Sequence, residues 1–266
     1  MLQLLNERRL KLLALLSFFI LNGELLAQSR GVPRWFLKPP VHSKSYYYGA
    51  GISNVTYDTT EGLNRAKRYA ANEIVKSIRV ELRAGVADVS SGRGIETAFF
   101  VVEEYDSLLV ERIIENALVI KNTVYKNNNY VLICVDSDFN KPKKSFIHSA
   151  LVKYNAIKKK AQVPGWIQNS PVRKGFIYGI SKTEPYESVE ESWENSSKIA
   201  RYRIASQLNT NSNTLIRKYD SNSANFIEML TENTVDLILS NSIIKERWYD
   251  PATHHYCTLI EYQITD

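Results

Sequence analysis

The nine residues VPRWFLKPP at positions 32–40 return as VPGWIQNSP at positions 163–171. Pro33 falls on Pro164, Trp35 on Trp166, Phe36 on Ile167 and Pro40 on Pro171. A tryptophan held between prolines is a costly phrase to keep twice by chance, so the repeat constrains the fold before any composition does. Its offset, about 130 residues, is the length of an ordinary domain and not of a solenoid unit of roughly 20–50 residues. The 266 residues therefore read as two tandem copies of one domain.

The correspondence runs beyond the phrase. YYYGAGIS at 46–53 meets FIYGIS at 176–181, which lays Gly51 on Gly179. A helical segment follows each time. Ala66, Ala70, Ile74 and Ile78 recur at spacing four and match Ser196, Ala200, Ile204 and Leu208, a small-residue stripe that lets a helix lie close against a sheet. Asp58 with Glu61 forms a capping-box-like start, and Pro185 with Glu187 suits the first turn of the second helix. RVELRAGVADV and NTLIRKYDS then read as extended. In the apolar stretch 99–118, Val101, Tyr105, Leu109, Ile113 and Ala117 lie four apart and favour a helix, with a strand as the alternative; 225–239 is its counterpart. Each copy closes on a hairpin, 119–136 and 243–263, in which Lys121 matches Lys245 and Tyr125 matches Tyr249. The pattern predicts an α+β fold of two similar domains, 28–139 and 163–266, each a helix on a mostly antiparallel sheet. A basic linker or helix at 140–162 joins them, with Ile147, Leu151, Tyr154 and Ile157 along one side.

Arg8, Arg9 and Lys11 precede an apolar run from Leu12 to Leu21 and the small Ala27. That order predicts a signal peptide over 1–27, cleaved near Ala27, and the run is short of the roughly 20 apolar residues a membrane span needs. Removing 1–27 takes away three cations and two anions and changes the net charge from +6 to +5. The basic runs NKPKK (140–144) and IKKK (157–160) lack the interleaved aromatics of a nucleic-acid platform, so no nucleic-acid partner is expected. Cys134 and Cys257 sit in apolar runs at unlike places in the repeat and read as buried thiols, with a single disulfide as the alternative.

Motifs for chemistry are sparse. His42, His148, His254 and His255 include no pair spaced i, i+4 for zinc, and adjacent His254 and His255 read as a solvated turn. The glycines of YYYGAGIS lack the rest of a phosphate-loop fingerprint, so Gly51 and Gly179 read as close helix approaches. Glu103–Glu104 and Glu190–Glu191, as sequence neighbours, point apart on a helix. There is no Gly-x-Ser-x-Gly elbow. No catalytic, cofactor-binding or metal residue is assigned and no enzyme activity is expected. Trp35 and Trp166 are the candidate interaction residues: aromatic anchors for a peptide or glycan, or staples that pin each entering chain to its own sheet.

In order along each copy, Pro-x-Trp-hydrophobic-x-x-x-Pro, Tyr-Gly-x-Gly or its shortened form, an Ala-rich helix and a closing hairpin resemble the Lpp-twenty lipoprotein family of bacterial envelopes, whose domain type is similar to one in flagellar outer-membrane ring proteins. The resemblance covers both copies. The chain departs from the family in having no cysteine near Ala27 to carry lipid, and Tyr178 is followed by a single glycine. The resemblance implies an exported envelope protein, periplasmic or associated with the outer membrane, with a structural or assembly role through protein contacts. Envelope proteins are the implied partners, a homo-oligomer stays open, and no transmembrane span remains after cleavage. A glycan- or small-ligand-binding module is the alternative, and a hydrolase the third reading.

Overall fold

A computed structural model of the chain describes residues 31–91, 94–139, 163–212 and 235–264. The expected signal peptide (1–27), the expected linker (140–162), the stretch NTLIRKYDS expected to be extended and residues 225–234 of the second apolar stretch lie outside the described residues. The first half runs α1 (Arg34–Leu37), β1 (Tyr46–Asn54), α2 (Thr59–Ile78), β2 (Arg79–Ser91), β3 (Gly94–Glu104), α3 (Ser107–Asn116), β4 (Leu118–Tyr125) and β5 (Asn128–Asp136). The second runs α4 (Gly165–Gln168), β6 (Phe176–Thr183), α5 (Val189–Ser212), β7 (Val235–Ser240), β8 (Ser242–Tyr249) and β9 (Tyr256–Gln263).

The fold is α+β, and every strand pairing is antiparallel. Three three-stranded sheets have the orders β1-β5-β4, β6-β9-β8 and β3-β2-β7. The first two are counterparts: an entering strand pairs with the last strand of its half, and a long helix covers one face. The third is built from both halves, because β7 runs along β2 from Arg79↔Ser240 to Ala84↔Val235.

Local chemistry accounts for the element starts. Asp58 accepts a hydrogen bond from the Thr60 amide at 2.8 Å and caps α2. Asp106 does the same for α3 through the Leu109 amide at 3.0 Å. The cap of α5 is Ser188, not the expected Pro185–Glu187 turn. Its Oγ accepts from the Glu191 amide at 3.0 Å while Glu191 accepts from the Ser188 amide at 3.1 Å, a reciprocal box written in the sequence as Ser-Val-Glu-Glu. The stretch 99–118 divides between two elements: β3 runs to Glu104, and only 107–116 is helical. Asp106 stops the strand by capping the helix, and a spacing of four cannot register a change of element partway along.

Two β-bulges fix how the halves superpose. The β4–β5 register shifts between Val119 and Lys121 opposite Ile133 and Leu132; the β8–β9 register shifts between Ile244 and Glu246 opposite Ile260 and Leu259. Ile133 is thus the counterpart of Ile260. Across the sheet, Ile133 faces Gly49 and Ile260 faces Gly179. Gly179 therefore corresponds to Gly49, and the match of Gly51 with Gly179 is corrected by two residues. Likewise Lys121 corresponds to Glu246 and not to Lys245, a shift of one. A pleat has period two, so a two-residue slip preserves the facing pattern and the sequence alone does not expose it.

Candidate functional site

Trp35 and Trp166 lie on matching four-residue helices that follow Pro33 and Pro164, and both are buried, at 7% and 8% exposure. Their surroundings differ. Trp35 belongs to an aromatic cluster that draws on both halves: Phe36, Tyr48, Tyr69 and Tyr130 from the first, Trp193 and Tyr256 from the second. The Phe36 ring meets Tyr130 edge-on at 5.1 Å and Trp193 at 5.8 Å. Trp166 joins a small cluster within its own half, with Cys257, Leu259, Ile180 and Trp248.

The glycines are packing devices. A Cβ on Gly49 or Gly179 would strike the carbonyl of Ala70 or Ala200, and one on Gly51 would strike that of Ala66. At the counterpart of Gly51 the second half has Ser181. Its hydroxyl lies 2.7 Å from Ser196 Oγ, and Ser196 Oγ lies 2.8 Å from Thr258 Oγ1, so three buried hydroxyls fill the space that bare backbone contact fills in the first half.

Between the halves lies a group of charged side chains absent from the candidates read in the sequence. Lys76 Nζ meets Glu103 at 2.7 Å and Glu194 at 3.2 Å; Arg201 meets Glu73 at 2.8 Å and Glu103 at 3.1 Å. Glu73 and Lys76 come from α2, Glu103 from β3, and Glu194 and Arg201 from α5 of the other half. The side chains of Lys76, Glu103, Glu73 and Arg201 are between 0% and 7% exposed, so these pairs are held away from water. Burial alone would push the Glu103 carboxyl up; Lys76 and Arg201 outweigh it and hold Glu103 down at about 2. The same opposition, with Arg201 as the strongest partner, leaves Glu73 below its ordinary range. Lys76 is correspondingly held above the usual lysine range by Glu103 and Glu73 against its burial. Arg247 of β8 completes the join. Its guanidinium donates to the Phe36 carbonyl at 3.0 Å and sits 4.6 Å from the centre of the Phe36 ring.

Glu73 and Arg201 each stand next to a member of the helix stripe, Ile74 and Ala200, but Arg65 stands likewise beside Ala66 and is exposed, so sequence position alone does not mark the group. In β3, Glu103 and Glu104 point to opposite faces of the sheet, so one is buried and the other pairs with Arg83 in solvent at 3.3 Å. Other candidates disperse. His254 bonds Tyr249 Oη at 2.7 Å and His255 lies 3.1 Å from Glu184, both at the β8–β9 turn. Cys134 and Cys257 are buried free thiols, each pushed up by burial to about 11. Among the described residues, no group of three or more His, Cys, Asp or Glu is placed to hold a metal ion, and no helix is long and apolar enough to cross a membrane.

Carboxylates beside a lysine and arginines can in principle transfer protons. Here the strong pairing keeps each group in its charged form, which suits cohesion between halves and not acid–base exchange near neutral pH. In comparisons with known proteins, no family model matches the chain and no curated protein matches its sequence.

Proposed function

We propose that this is an exported bacterial cell-envelope protein of Lpp-twenty type, non-catalytic, with a structural or assembly role exerted through protein contacts. The observation that supports the reading is how the halves are held together. The Trp35 phrase and the buried ion pairs join the two halves, while the close-approach glycines seat each long helix on its own sheet. A chain that invests its most distinctive residues in a firm tandem frame leaves its outer faces for partners. The charged N-terminal order ahead of Ala27 supports a location outside the cytoplasm, in the periplasm or against the outer membrane.

The test is made in the native host. Intact-mass measurement of the protein is expected to find a chain that begins near Gln28, and cross-linking followed by affinity purification to recover envelope proteins in stoichiometric amounts. A chain that retains Met1, or recovery of the protein alone with a bound sugar or small molecule, would overturn the assembly reading.

A further inference from the structure

The segment between α1 and β1 carries one half-buried titratable group that the ion pairs do not use, His42. Its two ring nitrogens have fixed and different duties. The Tyr48 amide points at Nδ1 at 3.2 Å, and an amide N–H only donates, so Nδ1 must be the bare acceptor nitrogen. The proton of the neutral ring is then on Nε2, which lies 3.0 Å from Ser77 Oγ. Ser77 Oγ in turn donates to the Ile74 carbonyl at 2.7 Å, leaving its lone pair for Nε2–H. The ring thus ties β1 to the last turn of α2, and its bond from the Tyr48 amide exists only while Nδ1 is unprotonated.

The surroundings oppose a positive charge. From β1 the ring faces the aromatic ring of Tyr47 at 5.0 Å, and from α2 the hydroxyl of Ser77. The charged group that acts on it is Lys245 of β8, in the second half, which adds to burial in lowering the imidazole from its ordinary 6.5 to about 4. Lys245 is the extra residue of the β8 bulge, and it bonds Glu261 at 3.1 Å.

We propose that His42 is an acid-sensitive latch on the entering chain of the first half: neutral, it accepts the Tyr48 amide at Nδ1 while Nε2 holds Ser77 of α2; protonated, it sets Nδ1–H against the Tyr48 amide and a second cation in the field of Lys245. The consequence has a defined sign. The unfolded chain takes up this proton near 6.5 and the folded chain only near 4. Stability is therefore complete above about 6.5, falls as the pH drops toward 4, and levels off below it. Glu190, raised above its ordinary range chiefly by burial, works in the opposite direction, whereas Glu103, held at about 2, begins to lose stability only below its ordinary 4.5, under most of the His42 window. The proposal is independent of the envelope reading, because it concerns folding equilibrium and not a partner.

The test is urea unfolding of the full chain at intervals between pH 7 and 3.5, for the native protein and His42→Asn. Asn keeps an acceptor close to the Nδ1 position and does not titrate. The native folding equilibrium should fall by about a hundredfold or more across pH 6.5–4, and the H42N slope should be nearly flat there. Lys245→Met is the second variant, and it should move the lower end of the window upward. Direct titration of the His42 ring by NMR in the native protein serves if H42N does not fold. A ring that titrates near 6.5, or an H42N slope equal to the native one, would overturn the latch.

Discussion

The same stretch of the repeat is a helix in one half and a strand in the other. Counted back from the matching bulges, Val110–Glu115 in α3 corresponds to Val235–Ser240, which is β7. In the first half this stretch packs on α2 through Val110 and Ile113, inside the cluster of Ala71, Ile74 and Val75. In the second half it leaves its own helix-and-sheet layer to pair with β2, and Leu239 joins Val80, Leu82, Ala200 and Ile204 in a core made by both halves. The difference teaches where the repeat stops being a repeat. Two copies that each closed on themselves would have no reason to diverge here. A copy that lends a strand to its neighbour must.

The charges follow the same rule. Counted along the helices, Glu73, Lys76 and Arg201 fall opposite Arg203, Ser206 and Ala71, so the buried pairs belong to the join and not to the domain pattern. Removing one side of it should have the largest effect. Arg201→Ala strands Glu73 without its hydrogen-bonded cation and leaves Glu103 with Lys76 alone, and is expected to cost about 3–5 kcal/mol, a large part of an ordinary domain's stability, read as a drop in melting temperature. A loss as small as that of an exposed arginine would break the comparison.

The two tryptophans sharpen it next. Trp35→Ala opens a hole in a cluster shared by both halves and is expected to cost about 3–5 kcal/mol. Trp166→Ala empties a smaller cluster confined to one half, and its indole N–H is buried with no acceptor, so its loss should be smaller than that of Trp35. Equal losses in melting temperature would mean that the phrase has one role in both places.

The close approaches come third. Gly51→Ser puts a side chain where the Ala66 carbonyl already lies, although serine is the native residue at the counterpart Ser181. Overpacking of this kind costs about 1–3 kcal/mol. Urea midpoints should show Gly51→Ser well below Ser181→Gly; the reverse order would break the two-residue realignment of the halves.

The most specific effect is the one in acid. Glu103 is held at about 2 against an ordinary 4.5, so the stability it lends is complete above 4.5 and is lost as the pH falls toward 2. In Glu103→Gln that acid-dependent portion should disappear below pH 4.5, in a window that lies mostly below that of His42.

Much of the layer within each half was legible because it is written locally. The stripe Ala66, Ala70, Ile74 with its counterpart Ser196, Ala200, Ile204 gave helix and sheet face together, and KNNN gave a tight turn, with Lys126 and Asn127 both at positive φ. What was not legible is non-local. The pairing of β2 with β7 joins residues about 155 positions apart, and neither strand carries a mark that names its partner. Arg201 and Lys76 read as ordinary helix charges because periodicity reports one buried face. These helices are covered on a second side by the other half, which their periodicity does not show.

The central claim is that the two halves are one cooperative body joined through β2–β7 and the buried ion pairs. Native-state hydrogen exchange of the full chain in rising urea tests it most directly, by comparing amides of Val131 and Ile133 in the first sheet with Leu259 and Ile260 in the second. One common opening free energy, falling together in Arg201→Ala, is the predicted result. If one sheet loses protection at low urea while the other stays closed to the main transition, the halves are separate domains that merely touch, and the account is contradicted.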